Sequence, residues 1–194
     1  MNILLLGPPN DLIVSHLTTL GENCICYEEK LFISSSVLQK TDFIVSFGYR
    51  HIIGQEVIKY FPKQIINLHI SYLPWNRGSD PNLWSFLENT PKGVSIHFID
   101  NGVDTGNLIA QKRVESKLGD TLRSSYNNLN EAIESLFMKE WPKIRSGKVN
   151  GKPQFGKGSF HKRSDLKAVE HLLTHGWDTR VDQLTGKFKT LNND

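Results

Sequence analysis

Cysteine is scarce: the 194 residues hold two, Cys24 and Cys26. They stand too close in sequence for an ordinary bridge, and a C-x-C pair by itself makes a poor zinc signal. A disulfide framework is therefore excluded, and two reduced thiols in a cytoplasmic protein are expected. Long apolar runs are missing as well, for no stretch approaches the roughly 18 consecutive apolar residues of a membrane span. The N-terminus carries no basic residue before Ile3-Leu4-Leu5-Leu6, and that run stops at Gly7-Pro8-Pro9. It fails as a secretory signal and reads as a buried strand entering a turn. Neither charge sign is in large excess, with 23 Lys and Arg against 20 Asp and Glu for a net charge of +3.

The composition is otherwise ordinary for a globular chain, with 38% hydrophobic, 10% aromatic and 22% charged residues. A chain of this length suits one domain, here residues 1–145, with a short basic extension over 146–194 packed on it. About 70% of the unfolded surface can be buried at this size, so the core needs no metal.

Apolar runs at Ile3–Leu6, Asn23–Tyr27, Phe43–Phe47 and Gln64–Leu68 predict four strands. Helical stretches fit between them, from Asp11 as N-cap through Leu12, Val14, Leu17 and Leu20, and again over Gln55–Tyr60. Strands that are apolar almost throughout and alternate with helices indicate a parallel sheet covered on both faces, the α/β class. Residues 69–82 lack any period and read as a long ordered loop. Leu83–Leu87 is expected to be helical, Gly93–Asp100 and Leu108–Ala110 to be strands. A helix from Leu122 to about Trp141 carries Leu129, Ile133, Leu136 and Phe137 on one stripe, and Pro142 is expected to end it. Between Lys139 and Lys167 stand nine Lys or Arg and two acids, so the remainder of the chain is slightly acidic.

Three constellations could carry chemistry. Asn67-Leu68-His69 closes a predicted parallel strand, where open α/β sheets bind ligands. Residues two apart in a strand share a side, so an amide and an imidazole would face the same space. That suits oxyanion stabilisation beside a proton handler, although an isolated N-x-H is more often a hydrogen-bonded histidine at a strand end. Asp100-Asn101-Gly102-Val103-Asp104-Thr105-Gly106 sets two carboxylates four apart among glycines, but lacks the calcium-loop pattern and reads also as a plain strand connection. The basic stretch could meet a phosphate or be a solvated face.

Together and in order, Asn67-Leu68-His69-Ile70-Ser71-Tyr72-Leu73-Pro74, Arg77-Gly78, Gly93-Val94-Ser95-Ile96-His97-Phe98-Ile99-Asp100 and Gly102-Val103-Asp104-Thr105-Gly106 resemble the 10-formyltetrahydrofolate-dependent formyltransferase family over about residues 1–145. The resemblance implies a Rossmann-like, open, mostly parallel twisted sheet with helices on both faces. It places the catalytic Asn, His and Asp on Asn67, His69 and Asp104, with no metal. It places the pterin loops on Tyr49, Arg50, His51, Ile52 and Ile53 with Ile58, and on Asp100, Asn101, Gly102 and Val103. His97 is expected to pack as a satisfied histidine, and His51 to border the pterin.

Within the family, a methionyl-tRNA enzyme is expected to need a further barrel and a formyl-discarding hydrolase an N-terminal regulatory domain. Pro8 and Pro9 remove two backbone donors from the first loop, which weakens the alternative, a glycinamide ribonucleotide formyltransferase of purine synthesis. The loop from Leu73 to Trp84 and the tail Gly156-Lys157-Gly158-Ser159-Phe160-His161-Lys162-Arg163 look most like the sugar-nucleotide branch. The cosubstrate implied is 10-formyltetrahydrofolate and the acceptor a nucleotide-linked amino sugar, with Trp75, Asn76, Arg77, Asp80, Lys162 and Arg163 as candidate contacts. Arginine and lysine there would meet phosphate. Two other classes are weaker: a non-catalytic folate- or nucleotide-binding module, and a nucleic-acid binder using the tail with Phe155 and Phe160, against which stand a pI near 8.8 and no recognisable module. No nucleic-acid or membrane partner is expected, and the oligomeric state is open, a homodimer included.

Overall fold

A computed structural model describes residues 1–188. The chain divides into two compact units, one of Met1–His69, Ile96–Ala110 and Glu134–Pro153, the other of Ile70–Ser95, Gln111–Ile133 and Gln154–Asp194. Its elements are β1 (Asn2–Leu6), α1 (Asp11–Thr19), β2 (Asn23–Tyr27), β3 (Phe43–Phe47), α2 (Gln55–Tyr60), β4 (Ile65–His69), β5 (Arg77–Gly78), α3 (Pro81–Leu87), β6 (Gly93–Phe98), β7 (Leu108–Arg113), α4 (Leu122–Arg145), β8 (Phe160–His161) and α5 (Leu166–Val169). Six strands form an open sheet in the order β2-β1-β3-β4-β6-β7. The first four are parallel neighbours, with Ile3 opposite both Cys24 and Phe43, and Ser46 opposite Asn67.

In the first unit, alternation along the strands sets the two faces. Leu4, Leu6, Ile44 and Ile65 form one apolar cluster with Val57 of α2, Leu38 and Phe61. Phe43, adjacent to Ile44 and so on the opposite face, meets Trp141 of α4 edge-on at 5.5 Å. Helices thus cover both faces. Cys24 and Cys26 are free thiols. Among the described residues no helix is long and apolar enough to cross a membrane.

Several boundaries differ from the sequence reading: β6 ends at Phe98 and not Asp100, β7 runs on to Arg113, and three further differences have a structural cause. Asn10, not Asp11, caps α1: its side chain accepts from the Ile13 N–H at 3.0 Å, and Asp11 becomes the acidic first-turn residue. Pro142 lies inside α4 instead of ending it. An interior proline costs about 3 kcal/mol. Trp141 and Ile144 on either side of it are buried, and their packing holds the last turn. The stretch 69–82 is not wholly irregular: β5 pairs in parallel with β8, and Pro81 starts α3.

The second unit has its own core, in which Leu83, Trp84, Phe86 and Leu87 of α3 pack with Leu122, Val169, Val181 and Leu184. Residues beyond Gln154 supply part of that core and also the strand that zips onto β5.

Candidate active site

The site starts at the C-terminal ends of parallel strands, where backbone pairing ends and side chains of successive loops can converge. Asn67 and His69, two apart on β4, both reach Asp104. The Asn67 Nδ2 donates to Asp104 Oδ1 at 3.1 Å, and His69 Nε2 lies 3.7 Å from Asp104 Oδ2. His69 and Asp104 keep about a tenth of their side-chain surface exposed, and Asn67 is half-buried. The amide, imidazole and carboxylate separated by up to 37 positions are therefore in one place.

The loop that delivers Asp104 explains the glycine spacing. Asp100 Oδ1 accepts from the Gly102 N–H at 3.0 Å and from the Thr105 hydroxyl at 2.6 Å, which folds the loop back on itself. Asp104 takes a left-handed φ of 52°, which aspartate tolerates better than most residues. Any side chain at Gly106 would place its Cβ 1.8 Å from the Phe98 carbonyl oxygen, so the chain can return past β6 only with glycine there.

His97 is satisfied, as expected, yet it also belongs to the cluster. Its Nδ1 lies 2.7 Å from the Phe98 carbonyl, which only accepts, so Nδ1 carries the proton. In the neutral ring Nε2 is then an acceptor, 3.3 Å from Asn67 Nδ2; protonated, it faces Asp104 Oδ1 at 3.4 Å. Both amide hydrogens of Asn67 have an acceptor, Asp104 for one and His97 for the other. For Asn67 to donate to a developing oxyanion, one of these must release it. The sequence signal for His97 was its position two before Ile99 on a strand that leads straight into the aspartate loop, too weak to separate it from a core histidine.

The other predicted residues of this unit fall into two groups. Arg50, His51, Ile52, Asp100, Asn101, Gly102 and Val103 are exposed on the loops that follow β3 and β6. Among them Ile52 at 79% exposure and Val103 at 40% present apolar surface. Tyr49, Ile53 and Ile58 are turned inward instead, Ile53 within the core cluster and the other two against it. The Tyr49 hydroxyl donates to the Glu29 carbonyl at 2.7 Å and accepts from the Leu31 N–H at 2.9 Å. Burial pushes its phenol up, against the downward pull of the Leu31 N–H. Tyr49 and Ile53 shape the loop rather than offer it a free group.

In the second unit the structure brings the candidate loop and the candidate tail together. Arg77 opposes Phe160 and Gly78 opposes His161 in the β5–β8 pair. Arg77 gives Nε and Nη2 to Gln154 Oε1 at 3.1 and 2.7 Å. Lys162 and Arg163 follow directly and are exposed; Trp75 and Asp80 are half-buried. Burial pushes the Asp80 carboxyl up, offset in part by the Arg163 charge. Asn76 is corrected: it is fully buried, its Nδ2 bonds Glu88 Oε2 at 3.2 Å and its Oδ1 accepts from Thr90 at 2.8 Å, so it holds the loop from within. His161, part of the candidate tail but given no role from the sequence, and Glu88, not singled out there, join this network at 3.1 Å. Nothing in the local pattern marks Glu88, which closes α3 like many helix-end residues.

Among the described residues no group of three or more His, Cys, Asp or Glu could hold a metal ion.

Residues 28–140 match the family model described as formyl transferase. The chain is 50% identical to the formyltransferase PseJ from Anoxybacillus kamchatkensis, solved in complex with UDP-4,6-dideoxy-4-formamido-L-AltNAc and tetrahydrofolate, with a TM-score of 0.95 over 97% of this chain and 100% of that one. It is 25% identical over 138 residues to dTDP-4-amino-4,6-dideoxyglucose formyltransferase of Mycobacterium bovis, covering 71% of this chain and 58% of that protein. It is 29% identical over 141 residues to the methionyl-tRNA formyltransferase of Thermodesulfovibrio yellowstonii, covering 70% of this chain and 46% of that protein. The chain thus spans less than two thirds of the length of either of these last two relatives.

Proposed function

The chain belongs to the formyl transferase family, and from that premise we propose that it transfers the formyl group of 10-formyltetrahydrofolate to the primary amine of a nucleotide-linked amino sugar. The observation that carries this reading is the meeting of Asn67, His69 and Asp104 at the end of β4. It is supported by full-length similarity to a protein solved with a nucleotide-linked formamido sugar and tetrahydrofolate.

In the proposed reaction the neutral amine attacks the formyl carbon, and the carbonyl oxygen becomes a tetrahedral oxyanion. The amine then loses a proton, and the oxyanion collapses to a carbonyl as the bond from the formyl carbon to the folate nitrogen breaks, that nitrogen taking up the proton that the amine gave to the Asp104–water relay. His69, held as imidazolium by Asp104, donates to the oxyanion; one such donor is typically worth about 100- to 1000-fold in rate. Asp104 takes the amine proton through a water. Asn67 supplies a second N–H to the oxyanion once His97 releases it, and its Oδ1 can accept from the attacking amine. The exposed apolar groups of Ile52 and Val103 suit the flat face of a pterin, and the loop amides of Asn101, Gly102 and Val103 its polar edge. Arg77, Lys162 and Arg163 suit the diphosphate, with Trp75 and Asp80 toward the nucleotide-sugar.

The deciding assay offers the protein 10-formyltetrahydrofolate with a panel of UDP- and dTDP-linked 3- and 4-amino sugars and with glycinamide ribonucleotide. Formylation of one or more amino sugars is expected. Turnover of glycinamide ribonucleotide alone would transfer the protein to purine synthesis and overturn the proposal.

A further inference from the structure

The second unit contains a partly buried polar hub that the formyl-transfer chemistry does not use. Glu88, the residue that closes α3, accepts at Oε2 from the Ser159 hydroxyl at 2.8 Å and from Asn76 Nδ2 at 3.2 Å. At Oε1 it faces His161 Nε2 at 3.1 Å. A carboxylate only accepts, so that imidazole nitrogen carries a proton. The ring of His161 lies flat on the Trp84 indole, with centroids 3.8 Å apart and planes 4° from parallel, and Phe188 meets it edge-on at 6.3 Å. Burial pushes the Glu88 carboxyl up, but the hydrogen bonds from His161, Ser159 and Asn76 outweigh it and hold the group below its ordinary range.

The three donors come from two segments 83 positions apart. Asn76 immediately precedes Arg77, and His161 immediately precedes Lys162 and Arg163. The backbone is closed at the same place: the Arg77 N–H donates to the Ser159 carbonyl at 3.0 Å, the Ser79 N–H to that of His161 at 2.9 Å, and the Asn76 N–H to Ser159 Oγ at 3.0 Å. Gly78 permits the approach, since a Cβ there would stand 2.2 Å from the His161 carbonyl oxygen. One carboxylate therefore accepts from the residues that immediately precede the basic side chains on each segment, Asn76 before Arg77 and His161 before Lys162 and Arg163, at the place where the backbone pairing also closes.

We propose that Glu88 and His161 are positioning residues for acceptor recognition, clamping β5 to β8 so that Arg77, Lys162 and Arg163 present a pre-arranged charge set to the diphosphate of a nucleotide-linked sugar. The proposal rests on the reading that the acceptor carries a nucleoside diphosphate. Pre-arrangement lowers the ordering cost of binding without touching the reacting atoms, so its loss falls on KM for the acceptor.

The test compares wild type, Glu88→Gln, Arg163→Ala and the double variant. It measures kcat and KM for the amino-sugar nucleotide, KM for 10-formyltetrahydrofolate, and calorimetric binding of UDP and dTDP, with melting temperature recorded throughout. Glu88→Gln is expected to raise the acceptor KM and weaken UDP or dTDP binding by tenfold or more, while kcat and the folate KM stay within about threefold. Arg163→Ala should weaken the same binding in wild type and add little in the Glu88→Gln background, because the two act as one unit. Glu88→Asp should recover part of the loss. Where Glu88→Gln does not fold, Ser159→Ala removes a single donor and is expected to raise the same KM by about threefold. A folded Glu88→Gln or Ser159→Ala with an unchanged acceptor KM, or effects of Glu88→Gln and Arg163→Ala that simply add, would overturn the clamp. If Arg163→Ala is silent in wild type and neither UDP nor dTDP binds, the nucleotide premise fails instead.

Discussion

Asp104→Asn isolates what the carboxylate does, because the change keeps size and shape and because asparagine accepts the left-handed φ of 52° as readily as aspartate. The backbone return through Gly106 is left alone. What is lost is a negative charge 3.7 Å from His69 Nε2, and one of the two oxygens that face His69, Asn67 and His97 becomes an amide nitrogen. Two unit charges about 4 Å apart attract by about 4 kcal/mol at the effective dielectric of about 20 typical of such sites. Each 1.36 kcal/mol is about tenfold in rate, so a fully realised pair would be worth about three orders of magnitude. Both side chains keep some solvent exposure, which places the expected fall in kcat between about 100- and 1000-fold. Stopped-time formyl transfer at saturating acceptor gives kcat, and quenching of tryptophan fluorescence by a folate analogue gives cosubstrate affinity, expected within about threefold of wild type. A folded variant that keeps kcat within about threefold would refute the electrostatic role. A variant that loses folate affinity and keeps kcat would make Asp104 a pterin-loop residue.

Three further outcomes are expected. His69→Ala should abolish detectable turnover while folate binding persists in the same fluorescence titration; an unchanged rate would remove His69 from the chemistry. Gly106→Ala drives a methyl into the Phe98 carbonyl and should destabilise by about 1–3 kcal/mol as overpacking does, seen as a melting temperature lower by several degrees, and an unshifted melt would mean the loop has room to yield. Glu88, held below its ordinary value of 4.5, stabilises the fold fully above that pH, and this contribution is lost as pH falls through its depressed folded value. Acid melting curves should therefore drop more steeply for wild type than for Glu88→Gln, and parallel curves would mean that the carboxylate contributes no linked stability.

What could be read along the chain was whatever local chemistry writes locally. The strands over 23–27 and 43–47 and the helix over 55–60 match the structure residue for residue; for 43–47 an apolar, β-branched run that ends at Gly48 leaves few alternatives. Asn67 and His69 were visible because period two puts them on one side of a strand end. Asp104 was visible as one of two carboxylates four apart among glycines, but its catalytic role came only from the family resemblance, since nothing in the local sequence says that the loop after β6 folds back toward β4. The misses share one cause. The β5–β8 pair is two residues long and joins positions 83 apart, so neither partner carries a period of its own. The continuation of α4 through Pro142 depends on where Trp141 and Ile144 are buried, information held by the rest of the core. His97 and Glu88 differ from ordinary buried polar residues only by what lies opposite them, a second imidazole and an amide for one, a serine, an asparagine and a histidine for the other. Local pattern thus located the groups that could face a substrate, whereas the groups that hold them in place emerged only from long-range packing. A substitution at His97, Glu88 or Asn76 should consequently be judged by the partner it strands and not by the residue type it replaces.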